Sequence, residues 1–148
     1  MRFSPVLALV AVAALPTGLA AQTAEDSAGV RAAVTDYVEA IYRVDTSRIV
    51  RSVRPELAKR GYYVPRNQTT YANSPMSYAE LINVAKTFNA KGNVNAESAI
   101  KQVTILDMAN QTASAKLVAT WGIDYMHLAR YDGRWMIVNI LWQSTPPR

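Results

Sequence analysis

One carboxylate stands out among the residues able to do chemistry. Asp124 interrupts the apolar run Gly122-Ile123-Asp124-Tyr125-Met126, and Asn139 is the lone polar side chain between Trp135 and Leu141. Asp132-Gly133 between the two runs is a two-residue hairpin signal, which sets Tyr131 opposite Arg134. That register puts Asp124, Met126, Leu128 and Arg130 on one face with Trp135, Ile137, Asn139 and Leu141. Asp124 then stands opposite Leu141 and diagonal to Asn139. A carboxylate on such a face must be hydrogen-bonded, ion-paired or beside a water-filled cavity. Burial raises its pKa, which suits a general base or acid. A structural Asp–Asn or Asp–backbone bond at the sheet margin satisfies the same pattern, so both readings stand.

The other candidates are aromatic. Tyr37 is the polar-tipped member of an apolar helical stripe, and its hydroxyl needs a partner when buried. Tyr62, Tyr63 and Tyr71 form either a pocket mouth or ordinary surface. The candidate ligand-binding set is Tyr37, Tyr63, Asp124, Trp135 and Asn139, with Asp124 the one catalytic candidate. His127, the only histidine, falls on the opposite face toward Val138 and reads as an interface residue rather than a base. With no cysteine and one histidine, a zinc or iron–sulfur site is not expected. No phosphate-binding Gly loop, nucleophile elbow or paired-His motif occurs, so no metal and no cofactor is expected.

These residues need elements to hold them. Val30, Ala33, Val34, Tyr37, Val38 and Ile41 repeat at helical spacing, which predicts a helix from about Ser27. Asp45 can cap a second helix carrying Ile49, Val50 and Val53. Pro55 ends that helix or opens a further turn through Lys59, stopped at Gly61. An extended piece at 61–64 leads into a loop. Ser77 and Glu80 form a capping box for a third helix to about Ala90, burying Leu81, Ile82, Ala85 and Phe88. Strands follow at 99–108, 112–121, 123–131 and 134–144, with Gly122 bending one long strand. The second hairpin face (Trp121, Ile123, Tyr125, Val138, Ile140 and Trp142) is also apolar. A second copy of the sheet is the simplest cover for it, which predicts a homodimer.

The N-terminus reads as a cleavable signal peptide at 1–21. Arg2 is the charged start, Val6–Leu15 the apolar run, and Ala20-Ala21 the small-residue cleavage chemistry. The run is too short and too interrupted by Pro16 for a membrane span. What remains, 22–148, is one domain, with residues 22–26 a polar lead-in, secreted or periplasmic. The chain's net charge of +5 falls by one when Arg2 is removed. The basic excess lies between Arg43 and Arg66, either a solvated face or a surface for an anionic partner. Nucleic acid is disfavoured, because export removes the protein from it and no basic aromatic motif is present.

Several of these stretches together resemble a known family. Asp36-Tyr37, Asp45, Arg54-Pro55-Glu56-Leu57-Ala58, Met76-Ser77, Ile105-Leu106-Asp107-Met108, Asp124-Tyr125-Met126-His127-Leu128 and Asp132-Gly133-Arg134-Trp135 look like the nuclear transport factor 2-like superfamily. The chain looks most like its lumazine-binding or SnoaL-like branch, over roughly 28–144. The resemblance implies an α+β cone, with N-terminal helices packed in a strongly bent antiparallel sheet around a cavity, often dimeric through the outer sheet face. It leaves function open, since the superfamily includes ketosteroid isomerases, polyketide cyclases, dehydratases and members that only bind or scaffold. The leading expectation is an exported, non-catalytic protein that binds a small apolar or aromatic molecule. The alternatives are a cofactor-free isomerase, cyclase or dehydratase using Asp124 as base, and an interaction module with a filled cone. The departures from enzyme patterns are the absence of a second acid beside Asp124 and the placement of His127.

Overall fold

A computed structural model describes residues 17–145, with side-chain environments described from residue 24. Residues 1–16 of the expected signal peptide lie outside the described residues. The first helix, α1 (Thr17–Arg43), begins ten residues before the expected Ser27. Residues 22–26 are therefore helical rather than a free lead-in, and Asp26 is buried. The whole predicted stripe from Val30 to Ile41 is buried, Tyr37 included. Asp45 caps α2 (Thr46–Ser52), accepting from Ser47 N–H at 3.1 Å. Its side chain thus satisfies one of the free amides at the helix start. Ser77 and Glu80 close a reciprocal capping box on α3 (Tyr78–Thr87). Leu81 and Ala85 are buried there, Ile82 is half-buried and Phe88 is exposed.

Six strands form one open sheet in the order β2-β1-β6-β5-β4-β3. They are β1 (Val53–Tyr63), β2 (Ala72–Met76), β3 (Lys101–Met108), β4 (Thr112–Ala119), β5 (Gly122–Tyr131) and β6 (Arg134–Ser144). Every pairing is antiparallel except β1 with β6, which run parallel. Helices and sheet share one core, in which α1 packs on β3, β4 and β6.

Two expectations change here. The expected helical turn from Pro55 to Lys59 is strand: β1 starts straight after α2 and runs through both residues. Leu57, Lys59 and Gly61 point inward at period two. Pro55 falls where the ladder to β6 is interrupted, between Val53 and Ala58. A residue without an N–H is tolerated there. The long strand bent at Gly122 is instead a hairpin, with Ala119 paired to Gly122 across the turn Thr120-Trp121. Gly122 has φ 139°, a conformation that favours glycine.

The third change moves the site. Tyr131 does pair with Arg134, and the expected register holds as far as Leu128 opposite Ile137. Val138 is then an extra residue, so His127 pairs with Asn139 and Asp124 with Trp142. A one-residue shift sends every later side chain of β6 to the other face. Ile140 and Trp142 turn inward, while Asn139 and Leu141 turn outward. The expected neighbourhood of Asp124, with Leu141 opposite and Asn139 diagonal, is therefore wrong.

Candidate functional site

Asp124 and Lys59 meet at the centre of the inner face. β5 and β1 are separated only by β6, and each places an inward residue beside Trp142. Asp124 is fully buried, Lys59 is 9% exposed, and Lys59 Nζ lies 3.9 Å from Asp124 Oδ1. From the helix layer, Tyr37 adds its hydroxyl, which accepts from Lys59 Nζ at 2.6 Å. From the β4–β5 turn, Trp121 Nε1 donates to Asp124 Oδ2 at 2.7 Å.

The turn is aimed by its own contacts. Tyr42 OH accepts from Thr120 N–H at 2.9 Å and donates to Ile100 O at 2.8 Å. The Trp121 ring packs edge-on against Tyr37 (6.2 Å between centroids), Tyr42 (5.5 Å) and Phe88 (5.6 Å). Edge-to-face contacts of this kind add to the burial energy and fix ring orientation. On the β1 side, Gly61 leaves room for the Trp142 indole. A Cβ at Gly61 would stand 1.9 Å from the Trp142 ring. Trp142 therefore lies over the β1 backbone, and Lys59 Nζ sits 5.9 Å from its ring centroid.

Above this floor is a pocket of about 210 Å³ lined by Tyr37, Ile41, Lys59, Met76, Val84, Phe88, Trp121 and Trp142. Its walls are apolar, and its polar groups are the Lys59 ammonium, the Tyr37 hydroxyl and the Trp indoles. Asp124 is not on the wall. It lies behind Lys59 and Trp121, with Oδ1 buried and without a hydrogen-bond partner. Trp142 Nε1 is likewise buried and unpartnered.

Burial controls the protonation of the cluster. It pushes Lys59 down to about 8, against the pull of Asp124. It raises Asp124, opposed by Lys59 and by the Trp121 N–H. It holds Tyr37 well above its ordinary 10, with the Asp124 charge adding to the effect. In each case desolvation of the charged form is the largest cause. Near neutrality Lys59 keeps its proton most of the time, yet loses it far more readily than a surface lysine.

The residues singled out from the sequence divide between several places. Tyr37 and Asp124 come together. Trp135 is at the opposite end of α1, where its Nε1 donates to Asp26 Oδ1 at 3.0 Å. Asp26 Oδ1 there lies 3.1 Å from Arg130 Nη1. Asn139 is on the outer face, where it contacts His127 Nδ1 at 3.2 Å and donates to Ala58 O at 2.9 Å. Tyr63 is exposed at the end of β1. Of the expected dimer face, Ile140 is fully buried, Trp121 and Trp142 line the pocket, and Ile123, Tyr125 and Val138 stay outward.

Lys59 is not among the residues the sequence marks for the site, because Pro55 argues for a helical turn where β1 runs. The available signal was the alternation Leu57-Ala58-Lys59-Arg60-Gly61, with a glycine at the third inward position. The basic stretch around it is largely neutralised. Arg43 pairs with Glu39 and Glu97, Arg48 with Asp36 and Asp45, Arg51 with Asp36, and Arg54 with Glu56. Among the described residues no group of three His, Cys, Asp or Glu side chains is placed to hold a metal. None of the described helices is long and apolar enough to cross a membrane.

Comparison with known proteins agrees with this architecture. Three solved structures illustrate it. A nuclear transport factor 2-like protein of unknown function from Silicibacter pomeroyi has TM-score 0.59 and 19% identity, over 80% of this chain and 95% of that one. A second, from Shewanella baltica, has TM-score 0.61 and 15% identity over 84% and 97%. A third, with a cystatin-like fold, from Novosphingobium aromaticivorans, has TM-score 0.58 and 14% identity over 89% and 91%. At these identities the likeness establishes the fold alone. No curated protein matches the sequence significantly. The family model described as "Putative lumazine-binding" matches residues 25–143, a span that takes in β1 to β5, all of β6 but its last residue, all of α2 and α3, and the Lys59–Asp124 floor, and the chain belongs to that family, with a nuclear transport factor 2-like fold.

Proposed function

We propose that this is an exported protein that binds one small, largely apolar molecule in the pocket over Lys59 and Tyr37. The observation that carries this reading is the pairing of apolar walls with a buried cation that already has its counter-ion. Because Asp124 offsets Lys59, the floor has little net charge. It favours a neutral ligand that presents a single acceptor, a carbonyl or a hydroxyl, to the Lys59 and Tyr37 protons. A free anion would have to displace Asp124 from its role. The volume suits roughly one substituted aromatic ring or a flat fused pair. Lumazine, the molecule in the family's description, is a flat two-ring heterocycle and belongs in the test panel. The signal-peptide pattern supports export, and N-terminal sequencing of protein from its own host is expected to start at Ala21 or Gln22.

Native mass spectrometry of that same protein tests the binding reading. The expected result is a retained small molecule that Lys59→Met loses and Arg130→Met keeps. Protein with no retained molecule, and with tryptophan fluorescence indifferent to a panel of lumazine and single-ring carbonyl compounds, overturns it.

A second reading has one specific observation in its favour. The raised pKa of Asp124 and its Oδ1 without a hydrogen-bond partner suit a general base, as in a cofactor-free isomerase, cyclase or dehydratase. Since Asp124 stands behind Lys59, proton transfer to a ligand would pass through the Lys59 amine. Turnover abolished by Asp124→Asn with ligand binding intact would support this reading. The exposed Tyr125 and Leu141 on the outer face support a homodimer through that face, although Ile140, Trp121 and Trp142 no longer contribute. A monomer by light scattering at high concentration would exclude it.

A further inference from the structure

Lys59 is the one lysine that is both buried and on a pocket wall among the described residues. Four independent features surround its amine. The walls on the ligand side are apolar. Asp124 Oδ1, 3.9 Å away, is buried and accepts from no donor. Tyr37 OH accepts from Nζ at 2.6 Å, which leaves its own proton free to point into the pocket it lines. The Trp121 N–H occupies Asp124 Oδ2, so Oδ1 is the oxygen available for a proton. Together these are a nucleophile, a proton acceptor behind it and a proton donor beside it.

We propose that Lys59 forms a reversible imine with a small apolar aldehyde or ketone bound in this pocket. The inference rests on the binding reading above and names the chemical class of its ligand. The Lys59 ammonium first gives a proton to Asp124 Oδ1. The freed amine adds to the carbonyl carbon, forming a C–N bond. The carbonyl π pair moves to oxygen, which takes the Tyr37 proton and becomes a hydroxyl. The nitrogen, now positively charged, returns a proton to the Tyr37 oxygen. Its lone pair then forms C=N as the C–O bond breaks, and the departing oxygen takes the Tyr37 proton and leaves as water. The imine nitrogen gives its proton to the Tyr37 oxygen and takes up the one held by Asp124. The product is a protonated imine beside the Asp124 carboxylate. No oxidant or reductant is required, and water addition reverses every step. The readily lost proton of Lys59 agrees with this chemistry, because an amine reacts only in its neutral form.

The test is reductive trapping with benzaldehyde and sodium cyanoborohydride at neutral pH, followed by peptide mapping. The expected result is a benzyl adduct on Lys59 at least tenfold above that on the exposed Lys86 and Lys91. Asp124→Asn is expected to slow trapping about tenfold or more and to change its pH profile. Tyr37→Phe is expected to slow it less. Benzyl alcohol, which fits the pocket without a carbonyl, is expected to protect Lys59. Binding of benzyl alcohol seen in tryptophan fluorescence with no preferential adduct on Lys59 overturns the imine and leaves the binding reading intact. Failure of both compounds to bind overturns the imine, and together with the absence of a retained molecule in native mass spectrometry and of any response to the lumazine and carbonyl panel it overturns the binding reading as well. Mapping the wild-type protein decides the question even where a variant fails to fold.

Discussion

The molecule builds the same motif twice, at opposite ends of α1, and the two copies differ in completeness. At one end Asp26 accepts from the Trp135 indole at 3.0 Å and faces Arg130 at 3.1 Å. At the other Asp124 accepts from the Trp121 indole at 2.7 Å and faces Lys59 at 3.9 Å. The first cation is an arginine, charged at any pH in use, with its side chain 24% exposed. The second is a lysine with its side chain 5% exposed, whose charge burial makes labile. The Asp26 site is a close, partly wet ion pair in a polar cleft. The Asp124 site has an idle carboxylate oxygen and a movable proton beneath apolar walls. Strong, complete pairing is what tethering a helix to a hairpin requires. Incomplete pairing beneath apolar walls is what the proposed ligand site would use, since buried unsatisfied groups persist only where something offsets their cost.

The contrast can be broken by measurement. The largest effect is expected from Asp124→Ala, which strands Lys59 in the core. Denaturant unfolding at pH 7 is expected to show a loss of about 3–5 kcal/mol, the range for removing one partner of a buried pair. Gly61→Ala comes next. The added methyl collides with the Trp142 ring, so a loss of about 2–3 kcal/mol is expected together with weakened ligand binding. If the variant binds ligand normally, Trp142 does not shape the pocket.

The third expected effect is on pH. Lys59 holds its proton only up to about pH 8 in the folded state but up to about 10.4 when unfolded. Between those values the unfolded chain binds more protons, so stability rises with pH. From pH 8 to 10 the wild type is expected to gain about 2 kcal/mol relative to Lys59→Met. Above pH 10 Tyr37 acts in the opposite sense, because its raised pKa keeps it protonated in the fold while the unfolded chain ionises. A flat wild-type-minus-variant difference would mean that the lysine is not desolvated.

The smallest effect is expected from Asp26→Ala, about 1–2 kcal/mol, because water reaches the Arg130 side of that pair. Ligand retention should be unchanged. Equal losses for Asp26→Ala and Asp124→Ala would abolish the distinction between the two sites.

Much of the helix layer was legible in the residues. The α1 stripe, the Asp45 cap and the Ser77–Glu80 box are local patterns, and each acts within one or two turns of chain. The Asp132-Gly133 turn also fixed its nearest pairs. Tyr37 and Asp124 were recognisable as inward-facing polar groups for the same reason. Lys59 was not, because β1 owes its conformation to pairing with β6 and β2 rather than to its own composition. The Pro55 within it argued locally for a helix end. Asn139 was misplaced by one extra residue, Val138, whose bulge carries no mark in the sequence.

By itself, then, the sequence determined the three helices, the turn that starts the last hairpin and the presence of an aspartate that must face inward. Those features follow from capping, period and turn chemistry, all of which act over a few residues. Only the tertiary structure decided what that aspartate meets. The Val138 bulge exchanged Asn139 for Trp142 opposite the hairpin's inner face, and the parallel β1–β6 pairing delivered Lys59. Both depend on strands far apart in the chain, where packing against α1 outweighs local preference.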